Sequence, residues 1–192
     1  VLRKAKVFNY LFEVSPPAYT KLEGFKQDGI NSITIPENSI VKWRGTIYNG
    51  TNVSILIDSI KSTEFERLDN NLHGLEKRVR VNEYWRIQNL NEELASYRLL
   101  VAKDNYPSIR VERYRDSSSI SGFYFSGSIN DDYGFKSLYL VERDEKTGEV
   151  NREKIELSGS KKQSFFLYKQ IESNSKVYFE VRDNDSFNGF KN

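Results

Sequence analysis

Apolar residues recur at every second position through most of this chain, a period that suits extended strands and not helices. Val41, Trp43, Gly45 and Ile47 share one face of a segment, with Lys42, Arg44 and Thr46 on the other. Val53, Ile55 and Ile57 alternate with Ser54, Leu56 and Asp58, and Tyr97, Leu99 and Val101 with Arg98, Leu100 and Ala102. In the second half the runs are Phe123/Phe125, Leu138/Leu140, Phe165/Leu167 and Val177/Phe179/Val181. Strands that are apolar on one side and polar on the other predict antiparallel sheets with one wet face. Turn signals separate them at Asn49-Gly50, Asn70-Asn71, His73-Gly74, Lys146-Thr147-Gly148 and Ser158-Gly159-Ser160. Gly148 is expected to take the positive φ of a tight hairpin tip. The one helical expectation is a short turn within Asn89 to Ser96, just before the strand at Tyr97.

The pattern is doubled. Gly45-Thr46-Ile47-Tyr48-Asn49-Gly50 returns in altered form as Gly127-Ser128-Ile129-Asn130-Asp131-Asp132. The first copy is followed by Val101-Ala102-Lys103-Asp104-Asn105 and the second by Val181-Arg182-Asp183-Asn184, at glycine-to-valine gaps of 56 and 54 residues. Two copies of a unit of roughly 80–100 residues match the size of an immunoglobulin-like sandwich. The expected fold is therefore all-β, with two tandem immunoglobulin-like antiparallel β-sandwich domains spanning residues 1–104 and 105–192. Pro107 has no N–H for a ladder and biases Tyr106 toward extended geometry, so a strand should stop before it and another begin after it. Few residues remain for a linker, and the two sandwiches are expected to join end to end with restricted bending.

Composition removes several classes of function. The chain has no cysteine, which excludes a disulfide scaffold, a thiolate metal site and a cysteine nucleophile. Its 29 basic and 27 acidic residues are interleaved and leave a net charge of +2, too little to attract nucleic acid or an anionic bilayer. The basic clusters Lys77-Arg78-Arg80 and Arg110-Arg113-Arg115 read as solvated faces of alternating strands. No apolar run approaches the ~20 residues of a membrane span. The sequence starts at Val1 and lacks methionine altogether, which reads as a piece of a longer protein whose targeting signals and anchors lie outside it.

Two constellations stand out as candidate sites. Asn130-Asp131-Asp132-Tyr133-Gly134 and Asp183-Asn184-Asp185-Ser186-Phe187-Asn188-Gly189 fall where the B–C and F–G loops of a Greek-key sandwich meet. Asp131, Asp132, Asp183 and Asp185 are hard oxygen ligands of the kind Ca²⁺ takes, although their spacing is not that of an EF-hand. The alternative is that these side chains bond their own backbone in tight turns, with Gly134 and Gly189 at positive φ. The second constellation is aromatic: Tyr10, Phe12, Tyr124, Tyr139, Phe166 and Tyr178 are placed opposite the expected core. Such rings stack on sugars, anchor a partner, pair across strands, or bury against neighbouring domains.

Catalytic signals are weak. His73 is the only histidine and, beside Gly74, reads as a surface turn residue, whereas a triad or zinc site needs a His held by a positioned partner. There is no Walker loop, G-x-G-x-x-G or G-x-S-x-G, so no enzyme and no catalytic residue is expected. Asn49-Gly50-Thr51, Asn52-Val53-Ser54 and Asn184-Asp185-Ser186 fit the N-glycosylation pattern. Asp58-Ser59-Ile60 resembles the short Asp-Ser/Thr-aliphatic O-glycosylation acceptor of Bacteroidetes envelope proteins.

Five phrases in order carry a family likeness. They are Ser15-Pro16-Pro17-Ala18-Tyr19-Thr20, Ile35 through Trp43, Asp104 through Ile109, Gly127 through Phe135, and Asp183-Asn184-Asp185 running into Asn188-Gly189-Phe190-Lys191. Their order and spacing resemble the large uncharacterised membrane proteins of Bacteroidetes grouped as domain of unknown function 4175. The resemblance implies a long envelope protein with membrane helices N-terminal to this piece and extracytoplasmic, periplasmic β-sandwich modules. It also implies that Pro16 to Thr20 form a rigid extended lead-in to the first sheet. The family brings no activity and no catalytic residues. The expected role is a non-catalytic spacer and interaction module, with other domains of the same protein or other envelope proteins as partners. The alternative is a ligand-binding module for a glycan or envelope protein, with Ca²⁺ stabilising the acidic loop end.

Overall fold

The structure is a computed structural model that describes residues 4–29, 31–62 and 65–185. It divides into two compact units, Val1–Lys103 and Asp104–Asn192. No helix among the described residues is long and apolar enough to cross a membrane.

Among its described residues the first unit contains ten strands: β1 (Lys6–Ser15), β2 (Phe25–Asp28), β3 (Ser32–Pro36), β4 (Ser39–Tyr48), β5 (Val53–Ile57), β6 (Ile60–Lys61), β7 (Glu66–Arg67), β8 (Leu72–Val79), β9 (Glu83–Asn89) and β10 (Glu92–Ala102). They form two five-stranded sheets, ordered β2-β1-β4-β8-β7 and β3-β10-β9-β5-β6. Alternation decides what lies between them. Phe12, Val14, Val41, Trp43, Ile47, Leu75 and Val79 from the first sheet meet Ile33, Ile35, Ile55, Trp85, Ile87, Tyr97 and Leu99 from the second in one buried cluster. Lys77 on β8 and Trp85 on β9 both bond the carboxylate of Glu83, at 2.6 and 2.7 Å, which ties the sheets together with a satisfied polar group.

Four expectations for this half are corrected. The sheets are not wholly antiparallel, because β3 runs parallel to β10 from Arg98↔Ser32 to Ala102↔Pro36. Alternation shows which side of a strand is buried but not which neighbour it takes. Asn89 to Ser96 form no helical turn. Asn89 pairs with Glu92 in a tight hairpin whose tip, Leu90, takes φ 57°. Pro16 to Thr20 do not lead into the first sheet but turn a corner after β1, where Ala18–Thr20 form a 3₁₀ turn. Pro17 supplies φ −60° ahead of it and the Thr20 hydroxyl donates to the Pro17 carbonyl at 2.7 Å. His73-Gly74 is strand, not turn: His73 is buried on β8 and its ring stacks on Phe65 at 5.6 Å.

The second unit contains β11 (Ser108–Arg115), β12 (Gly122–Asn130), β13 (Phe135–Asp144), β14 (Val150–Ile155), β15 (Lys162–Gln170) and β16 (Ser175–Asp183). Two three-stranded antiparallel sheets, β11-β12-β15 and β14-β13-β16, enclose a core centred on Ile129, Leu138, Phe165 and Val181. The β13–β14 hairpin closes as its sequence predicts. Gly148 takes φ 76°, and Asp144 Oδ1 accepts the N–H groups of Lys146 and Thr147 at 2.7 and 2.8 Å.

The doubled phrase is half confirmed. Gly45 on β4 and Gly127 on β12 occupy equivalent strands, each with a neighbour on both sides. The valine endings do not correspond. Val101 lies on β10, whereas Val181 lies on β16, which pairs with β13 just as β9 pairs with β5. Asp104 and Asn105, the end of the first copy in sequence, belong to the second unit.

Candidate binding face

The register Phe135↔Asp183 brings the two acidic segments to one end of the second unit, and the Asn184 side-chain amide donates to the Tyr133 carbonyl at 2.9 Å. Asp131, Asp183 and Asp185 are buried there, while Asp132 is exposed. One oxygen each of Asp131, Asp132 and Asp183 accepts hydrogen bonds from the chain itself. Asp131 Oδ2 accepts the N–H groups of Tyr133 and Gly134 at 2.9 and 2.7 Å, and Gly134 takes φ 105°. Asp132 Oδ2 turns away to Asn105, accepting its backbone N–H at 3.2 Å and its side-chain amide at 2.6 Å. Asp183 Oδ1 accepts the Asp185 N–H at 3.2 Å. Among the described residues no group of three or more His, Cys, Asp or Glu side chains is placed to hold a metal ion. At Asp131 the geometry is that of an Asx turn, closed by the two backbone amides that follow it. Ser186 to Gly189, with the rest of the last family phrase, lie outside the described residues.

The aromatic candidates separate by burial. Phe12 is fully buried, and Tyr10 packs beside it with its ring 4.9 Å from that of Tyr97. Both therefore belong to the core of the first unit. A register shift between Val7 and Asn9 resets the parity of β1 and turns these even-numbered positions inward. Tyr139 is half-buried and Tyr178 exposed on the sheet β14-β13-β16.

Tyr124 and Phe166 fall on the other sheet and are joined by two rings that alternation alone does not single out. The pairing puts Tyr114, Tyr124 and Tyr168 in one row across β11, β12 and β15. The adjacent row is Glu112, Ser126 and Phe166, and the next is Arg110, Ser128 and Ser164. The four rings are exposed to 53% at Tyr114, 36% at Tyr124, 69% at Phe166 and 43% at Tyr168, so this outer face is an open aromatic surface. The sequence signal for the missing pair was cross-strand register, which single-strand periodicity does not contain.

No family model matches this chain, and no curated protein does.

Hydrogen bonds and close packing hold the face in place. Tyr124 sits 4.9 Å from Tyr168 in a tilted contact and 5.8 Å from Phe166 with the planes 19° apart. The Tyr114 hydroxyl donates to Glu112, and this bond and the carboxylate's charge hold the phenol's pKa above its ordinary value. The Tyr168 hydroxyl lies over Gly122, where a Cβ would come within 2.4 Å of it. Nearby, the pKa of Asp116 lies below the usual carboxylate range chiefly because the Ser118 hydroxyl and N–H bond the charged form. The loop beside the row carries Ser117, Ser118 and Ser119 and the exposed Ile120. Flat apolar rings ringed by carboxylates and hydroxyls can stack against a ligand and fix its orientation by hydrogen bonds.

The modification motifs lie elsewhere. Asp58 and Ser59 form the tip of the β5–β6 hairpin at φ 48° and 74°, and the Arg86 guanidinium donates to the Ser59 hydroxyl at 3.0 Å.

Proposed function

We infer that this chain is a non-catalytic pair of immunoglobulin-like modules in the extracytoplasmic part of a cell-envelope membrane protein, acting as a spacer and interaction element. The interaction role rests on one observation, the exposed aromatic row of the second unit. The immunoglobulin-like reading is supported by connectivity: β12 passes to the opposite sheet at β13, a hairpin follows, β15 returns beside β12, and β16 crosses again to pair with β13. β4, β5, β6, β8 and β9 follow the same path in the first unit. The five family-like phrases support the envelope setting. The non-catalytic reading is supported by the one histidine, since His73 is stacked on Phe65 and buried in the first unit.

The test is capture from envelope extract with the immobilised chain. The wild type should retain a component that Tyr124→Ala and Phe166→Ala both release, while thermal midpoints stay unchanged. Equal retention by all three proteins removes the face from the function, and turnover in a hydrolase screen removes the non-catalytic reading.

A further inference from the structure

Building on the interaction reading above, we propose that the tyrosine row on the sheet β11-β12-β15 is a carbohydrate-binding site for a short stretch of polysaccharide. The composition of the face selects the ligand. Its three central rows hold four aromatic rings, three serines, a glutamate and an arginine, with no aliphatic side chain. Protein interfaces also favour tyrosine, phenylalanine and arginine, but their cores deplete serine and glutamate, which fill four of the nine positions here. A sugar has the opposite requirement, an apolar C–H face to lay on a ring and a rim of hydroxyls that need donors and acceptors. The rings supply the first. Glu112, Asp116 and the serines supply the second, since a carboxylate that already accepts one hydrogen bond keeps further acceptor sites.

The geometry adds length and order. Three rings on three neighbouring strands span roughly 10 Å, two strand spacings. That suits linked sugars better than a single one. The row is set before any ligand arrives. Tyr114 is tied to Glu112, the Tyr168 hydroxyl lies against Gly122, and Tyr124 is wedged between Tyr168 and Phe166. Little rotamer freedom is left for binding to remove, which favours affinity from a small contact area.

Affinity gel electrophoresis of the 192-residue chain against soluble β-glucan, xylan, galactomannan and α-glucan tests this, with peptidoglycan glycan strands added in a pull-down. At least one polysaccharide should retard the wild type. Tyr124→Ala and, independently, Phe166→Ala should each weaken that binding at least tenfold at unchanged thermal midpoint, while Tyr124→Trp should retain it. Phe166, the most exposed of the rings, keeps the test valid if Tyr124→Ala fails to fold. If no glycan binds but a captured envelope protein is released by the same two variants, the carbohydrate assignment falls and the interaction reading stands. If neither a glycan nor a protein responds to the variants, both fall.

Discussion

A methyl group added at Gly45 would lie 2.3 Å from Cη2 of Trp43, and one added at Gly127 would lie 2.3 Å from Cζ of Phe165. Each glycine is the seat of a core ring, supplied in the first unit from the same strand and in the second from the neighbouring strand β15. The repeated glycine was legible in the sequence, but its reason was not, because the ring it accommodates differs between the copies. Gly127→Ala should cost about 1–3 kcal/mol, as overpacking does. Gly127→Ala combined with Phe165→Leu should recover part of that loss, read from urea midpoints. At His73 the lesson runs the other way, since a polar-looking dipeptide hid a core position with the same parity as Leu75 and Val79. Burial pushes the imidazole pKa below its ordinary 6.5. The unfolded chain therefore takes up the proton first, so His73's contribution to stability is complete above pH 6.5 and is lost as pH falls through the folded pKa. An NMR titration of the single histidine should show its midpoint below 6.5; a midpoint at or above it would contradict the burial argument.

At the scale of elements, the period-two pattern made most strands legible, including β4, β10, β12 and β16. Their partners were not, because alternation carries burial without register. That is why the parallel β3–β10 pair and the place of Tyr114 and Tyr168 on the aromatic face emerged only from the structure. The hairpin at Leu90 escaped for a different reason. Turn rules look for Gly, Asn or Asp at positive φ, and here a leucine, 60% exposed, bears that conformation at φ 57°. The strain should be removable. Leu90→Gly is expected to raise stability by roughly 0.5–1 kcal/mol, because the left-handed conformation costs a β-carbon and not a glycine. Chemical denaturation of the variant at neutral pH measures it, and a lower midpoint would show that Leu90 contributes packing that outweighs its backbone. The acidic end was half legible: the sequence brought the two segments together, but the turn chemistry that occupies Asp131 and Asp132 depends on where the amides of Tyr133, Gly134 and Asn105 point.

In the whole molecule, the two units differ in where the first and last of their long strands begin and end. In the first, β1 starts at Lys6 opposite Tyr48, while β10 finishes at Ala102 opposite Pro36, near the start of β4. These are opposite ends of the sandwich, and β1 and β10 run the same way. In the second, β11 starts at Ser108 opposite Asn130, and β16 finishes at Asp183 opposite Phe135. Both lie at one end. Under the proposed spacer role, with the chain pulled from its two ends, this difference is mechanical. A pull on the first unit slides β1 lengthwise along β4, so all the ladder bonds between them share the load at once. A pull on the second lifts β11 and β16 from their neighbours one bond at a time, as a zipper opens. Because the chain has no cysteine, introduced thiols give unique handles. In single-molecule stretching, Lys6→Cys paired with Lys103→Cys should yield at higher force than Ser108→Cys paired with Asn184→Cys, and the reverse order would refute the load path. Tension would then open the unit that carries the aromatic row while the other holds, making that face the fuse of the pair.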